Sequence, residues 1–93
     1  MGQSKNAGRE IEMTTPESIK SAIEAGVACD RVDVGGDGQH FQALIVSKAF
    51  EALPKVRRHQ LVYGALGDRM REEIHALSMT TLTPAEWAQR QDR

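Results

Sequence analysis

Ile74-His75-Ala76-Leu77-Ser78-Met79-Thr80-Thr81-Leu82 is the stretch on which the fold turns. It reads as a β-strand, because Ala76, Leu77, Met79 and Leu82 sit among β-tolerant Ser and Thr with no Gly or Pro between them. A charged helical run from Lys55 to Glu73 feeds into it, and a capped turn from Thr83 to Trp87 follows it. A titratable imidazole, His75, opens the strand. A histidine there is expected at the rim of a sheet, on a rigid element and within reach of solvent, where a ligating group is well placed.

Upstream, Thr15-Pro16-Glu17-Ser18 is a helix start. Thr15 can cap, Pro16 suits the first helical position, and Glu17 complements the positive end of the dipole. Ile19, Ala22 and Ile23 give its apolar stripe, and Gly26 is expected to stop it in the left-handed region. Asp30 to Val34 alternates polar with apolar, as a half-exposed strand does. Gly35-Gly36-Asp37-Gly38 is a hairpin turn by composition, and Phe41 to Val46 is the partner strand. Between Ser47 and Leu53 there is room for one helical turn at most.

Pro54 then opens the main helix. Val56, His59, Val62, Tyr63, Leu66 and Met70 recur at three- and four-residue spacing and are expected on one buried face. Gly64 and Gly67 weaken this helix, which predicts a break near Gly67 and a second short helix from Asp68 to Glu73. Thr83-Pro84-Ala85-Glu86 is a capping box, and Trp87 on the turn it starts should fold back onto the sheet. The order is α-β-β-α-α-β-α, an α/β (α+β) arrangement with helices packed on one face of a three-stranded mixed sheet. Residues 1–13 are expected to be a disordered leader, 14–90 the domain and 91–93 a tail.

Composition narrows the function. The chain has 93 residues and a net charge of −1, so as a whole it does not bind polyanions; any nucleic-acid role needs a local basic patch. Four aromatic residues are too few for a base-stacking platform. The single cysteine, Cys29, allows neither an internal disulfide nor a thiolate zinc site, and it reads as a small hydrophobe. Nothing approaches a membrane span or a secretory signal, so the expected location is cytoplasmic, with no membrane partner. No nucleophile–base pair or carboxylate dyad stands out, and an enzyme is not expected.

Four pieces in order, Gly36-Asp37-Gly38-Gln39-His40-Phe41, Arg58-His59-Gln60-Leu61-Val62-Tyr63, Ile74-His75-Ala76-Leu77-Ser78 and Thr81-Leu82-Thr83-Pro84-Ala85-Glu86-Trp87, resemble the BolA family. The resemblance implies a class II KH-like BolA fold and a cytosolic, non-enzymatic protein. It also implies a monothiol glutaredoxin partner, with a [2Fe–2S] cluster shared between the two proteins and glutathione and not held tightly by this chain alone. His75 matches the family's metal-ligating histidine. A second ligand comes from the hairpin loop in many members. Here that leaves His40, either turned to the loop or a solvated strand residue, with Asp37 standing where some members carry Cys. The family also implies a rival role, transcriptional regulation through DNA, and a weak homodimer stays open for the free protein.

The candidates for partner or nucleic-acid binding are Lys55, Arg57, Arg58 and His59. The three cations crowd a helix amino end, where the dipole disfavours them and an acidic partner, a glutathione carboxylate or a phosphate would be welcome. His59 lies on the apolar stripe, where a packed, hydrogen-bonded ring is the commoner outcome. Of two Gly-x-x-Gly patterns, Gly64 to Gly67 lies between helices, where a nucleic-acid backbone could be clamped, but its interior is apolar.

Overall fold

The computed structural model describes residues 15–37, 39–67 and 76–91. Its first helix, α1 (Pro16–Gly26), starts as the sequence dictates. The Ser18 N–H donates to Thr15 Oγ1 at 3.1 Å and the Thr15 N–H to Ser18 Oγ at 3.0 Å, with Pro16 inside the first turn. Ile19, Ala22 and Ile23 face inward. The helix does not stop by a left-handed glycine; positive φ is confined, among described glycines, to Gly36 and Gly67. Gly26 serves packing instead. A Cβ there would stand 2.5 Å from that of Ala65, so a bare backbone is what lets α1 and the next long helix touch.

Strand β1 (Arg31–Gly36) pairs antiparallel with β2 (Phe41–Val46), and β2 pairs parallel with β3 (Leu77–Leu82), giving the order β1-β2-β3. The first strand runs on through Gly35 and Gly36, so the turn starts two residues later than composition suggests. A 3-10 turn (Lys48–Phe50) leads from β2 to α2 (Lys55–Leu66), which ends where Gly67 takes φ 59°. The short helix expected at Asp68 to Glu73 lies outside the described residues, as do Ile74 and His75. Ala76 is in a 3-10 turn, so within the described residues the third strand begins at Leu77 and not earlier.

Residues paired across the two ladders share a face of the sheet. Val32, Phe41, Ala43, Ile45 and Leu77 form the inner face and join Ile19, Ile23, Phe50, Val62 and Leu66 in one core. From α2 the buried residues are Arg58, Val62 and Leu66, one turn apart; Val56, expected on that face, is 64% exposed. The inward place in the first turn belongs to a charged residue, which a count of apolar positions cannot anticipate. On the opposite sheet face Val46 and Leu82 are also buried. The terminal helix α3 (Pro84–Gln91) buries no residue of its own, yet Trp87 folds back as expected: the Arg31 guanidinium of β1 lies 5.0 Å from the centre of its ring.

Candidate functional site

The hairpin tip is built by Asp37. Its Oδ1 accepts from the Gln39 and His40 N–H groups, each at 2.9 Å, and its own N–H donates to the His40 carbonyl at 3.2 Å. Those backbone donors hold the Asp37 carboxyl below the usual carboxylate range. Gly36, at φ 152°, permits the closure, because a Cβ there would collide with the His40 carbonyl and with Phe41. The consequence is a fixed backbone beneath an exposed His40. Asp37, with one oxygen committed to two amides, is the organiser of the turn more than a free ligand.

Parallel pairing then sets a second relationship. Phe41 stands beside Leu77, so the residues that precede them, His40 and Ala76, enter the sheet at the same end. His75, the leading candidate in the sequence, precedes Ala76 in the chain and lies outside the described residues. Among the described residues no three His, Cys, Asp or Glu side chains converge. Cys29 offers no ligand in this region. It is half-buried and donates to the Val27 carbonyl at 3.2 Å; burial, with Glu24 and Asp30 nearby, pushes its thiol pKa up and away from thiolate.

The cationic candidates are not at this end. Lys55 and Arg57 are exposed at the start of α2, which follows the carboxyl end of β2. A six-residue strand, about 17 Å at the usual rise, separates them from the hairpin tip. Arg58 does not join them on the surface, and its expected role as a partner contact is corrected here. Only 7% exposed, it donates through Nε to the Leu53 carbonyl at 2.9 Å and through Nη1 to the Thr81 carbonyl at 3.0 Å. It also grips Glu86, at 2.9 and 3.3 Å. Its guanidinium is spent on joining α2, β3 and α3. His59 beside it is half-buried.

Two features escaped the sequence reading. One is a cleft of about 220 Å³ lined by Leu53, Arg57, Gln60 and Leu61 on the outer side of α2. The other is an open concavity of about 650 Å³ between the first turn of α1 and strands β1 and β2, lined in part by Glu17, Lys20, Asp33 and Gln42, with neither His40 nor His59 in its lining. Both depend on how elements pack, which no local pattern encodes. No helix among the described residues is long and apolar enough to cross a membrane.

Comparison with known proteins agrees with this architecture. The acid stress protein IbaG of Escherichia coli is 39% identical over 71 residues, which cover 75% of this chain and 84% of that one. A DNA-binding transcriptional regulator BolA of Haemophilus influenzae is 42% identical over 52 residues, 56% of this chain and 50% of that one. Among solved structures, a bolA protein homologue from Coxiella burnetii superposes with a TM-score of 0.72 at 45% identity, covering 82% of this chain and 99% of that chain. The family description "BolA-like protein" matches residues 11–86. With its mixed sheet, its helices and most of its length accounted for, the chain belongs to the BolA-like family.

Proposed function

We propose that this chain is a non-enzymatic cytoplasmic partner of a monothiol glutaredoxin and that the two share a [2Fe–2S] cluster with glutathione. The observation that supports it is the common end of β2 and β3. His40 is exposed on a turn made rigid by Asp37, and the neighbouring strand begins at Leu77, two residues after His75 in the chain. Imidazole suits iron, and histidine ligation in place of thiolate raises a cluster's potential. The group supplies, when bound, an iron–sulfur unit that can be handed on or sensed. His75 and His40 are the residues that would hold it, His40 through a ring whose backbone the Asp37 carboxylate fixes. Few ligands on each side is what a shared cluster needs.

Regulation through DNA has less beneath it. With Arg58 turned inward, the start of α2 offers Lys55 and Arg57 on a chain of net charge −1.

The test is reconstitution with a monothiol glutaredoxin, glutathione, iron and sulfide. A heterodimer is expected whose visible circular dichroism differs from that of glutaredoxin alone and changes in His75→Ala and in His40→Ala. Absence of the heterodimer, or a spectrum indifferent to both substitutions, overturns the reading.

A further inference from the structure

We infer that the outer side of α2 is a second docking surface, built for an acidic amphipathic helix of another protein and remote from the histidine end of the sheet. The only exposed large hydrophobic residues among the described ones are Val56, 64% exposed, and Leu61, 41% exposed, and both lie on this helix. Arg57 and Leu61 are four residues apart and line the cleft with Leu53 and Gln60. Val56, Gln60 and Gly64 form the adjoining row at the same spacing. A Cβ at Gly64 would meet nothing within 4 Å, so the upper end of the row is open to a close-packed neighbour. Rows four residues apart are the ridges against which a second helix packs, and an apolar stripe laid into such a groove is a common mode of peptide recognition.

Charge decides the sign of the occupant. The first turn of α2 carries Lys55 and Arg57 and no acid, and Pro54 ahead of it supplies no side-chain cap. Arg57 makes no ion pair among the described residues. Lys55 contributes to the field that lowers the Glu86 pKa but is not in contact with it. A carboxylate flanking the apolar stripe of a partner would therefore meet, at the helix's positive end, two cations that form no ion pair among the described residues. A second copy of this chain fits poorly, because the apolar residues of its acidic-starting helix α1 are already buried in its own core. Nucleic acid fits the cations but not Val56 and Leu61. Because the surface lies across the sheet from His40, its occupant need not displace a partner bound there.

The test is an amide NMR titration of the full chain with a synthetic helical peptide of Leu and Glu, its Leu at i, i+3, i+4 and i+7. Parallel titrations use the same peptide with Lys in place of Glu and a short DNA duplex. The acidic peptide is expected to shift Leu53, Val56, Gln60 and Leu61, and Arg57→Glu and Leu61→Asp are each expected to weaken it about tenfold. His40→Ala is expected to leave this binding unchanged, which separates the surface from cluster sharing. No shift on α2, equal binding of the Lys peptide, or stronger shifts of these residues by the duplex overturns the inference.

Discussion

The guanidinium of Arg58 and the carboxylate of Glu86, 28 residues apart in sequence, meet through two hydrogen bonds of 2.9 and 3.3 Å. Neither end is a simple surface charge. Glu86 Oε1 also accepts the Thr83 N–H at 2.9 Å, closing the capping box of α3, while Arg58 serves two further carbonyls, of Leu53 just before α2 and of Thr81 in β3. One residue therefore links the start of α2, the end of β3 and the terminal helix, which buries nothing of its own.

Removing that guanidinium should be costly. Arg58→Ala leaves the Thr81 and Leu53 carbonyls without their donor, and loss of buried charge-assisted bonds predicts a destabilisation of about 2–4 kcal/mol. Glu86, whose side chain is 41% exposed, can regain water, which holds the effect at the lower part of the range for broken buried pairs. Arg58→Lys should recover little, because an ammonium cannot fork to both carboxylate oxygens while reaching two carbonyls. Urea unfolding of the two variants checks this; an Arg58→Ala midpoint equal to the parent's would contradict the clamp.

The same pair sets an acid limit. Hydrogen bonds from Arg58 and then from the Thr83 amide lower the Glu86 pKa from an ordinary 4.5 to about 2. Because the folded value is depressed, the contribution is complete above the unfolded pKa. It is lost progressively as pH falls from about 4.5 toward about 2. Glu86→Gln is expected to flatten the stability profile across that window while lowering stability at neutral pH. Thermal melts between pH 2 and pH 7 measure both.

Gly26 faces two opposing effects. Inside an exposed helix Ala would be favoured over Gly by roughly 1 kcal/mol. Here the added methyl would stand 2.5 Å from the Ala65 Cβ and 2.9 Å from its Cα, and backbone cannot swing aside as a flexible side chain can. Overpacking, at about 1–3 kcal/mol, wins. A fall in Tm of about 4–8 °C for each kcal/mol is the expected result in a domain this size. Ala65→Gly in the same chain should return part of it.

These residues also explain which parts of the fold could be read from the sequence. Caps and strands are local, so Thr15, Pro16, Phe41 to Val46 and the Thr83–Glu86 box are legible without coordinates. The roles of Gly26 and Val56 are set by residues distant in sequence and are not legible in this way. The need for glycine at position 26 comes from Ala65 on another helix, and the buried place expected of Val56 is filled by Arg58, whose partners lie in β3 and α3. The candidate site divides in the same way. Histidines and cations can be picked from the chain. That His40 enters the sheet beside Ala76 follows from strand register. That Lys55 and Arg57 stand at the other end follows from α2 coming after β2 and from the bond of Arg58 to Thr81 near the end of β3.

Asp37 offers a way to disturb the hairpin tip without touching a histidine. Asp37→Ala removes the acceptor of the Gln39 and His40 amides, while the β1–β2 ladder stays intact. Global stability should change little, because the bonds are solvent-exposed, but hydrogen exchange at those two amides should accelerate several-fold. Asp37→Asn keeps a carbonyl oxygen in place and should preserve most of the protection. If His40 serves in a shared cluster, Asp37→Ala should alter the visible circular dichroism of the glutaredoxin complex in the direction of His40→Ala, and Asp37→Asn should not. Equal exchange rates in all three proteins would mean that the turn is held by the Gly36 backbone and not by the Asp37 carboxylate.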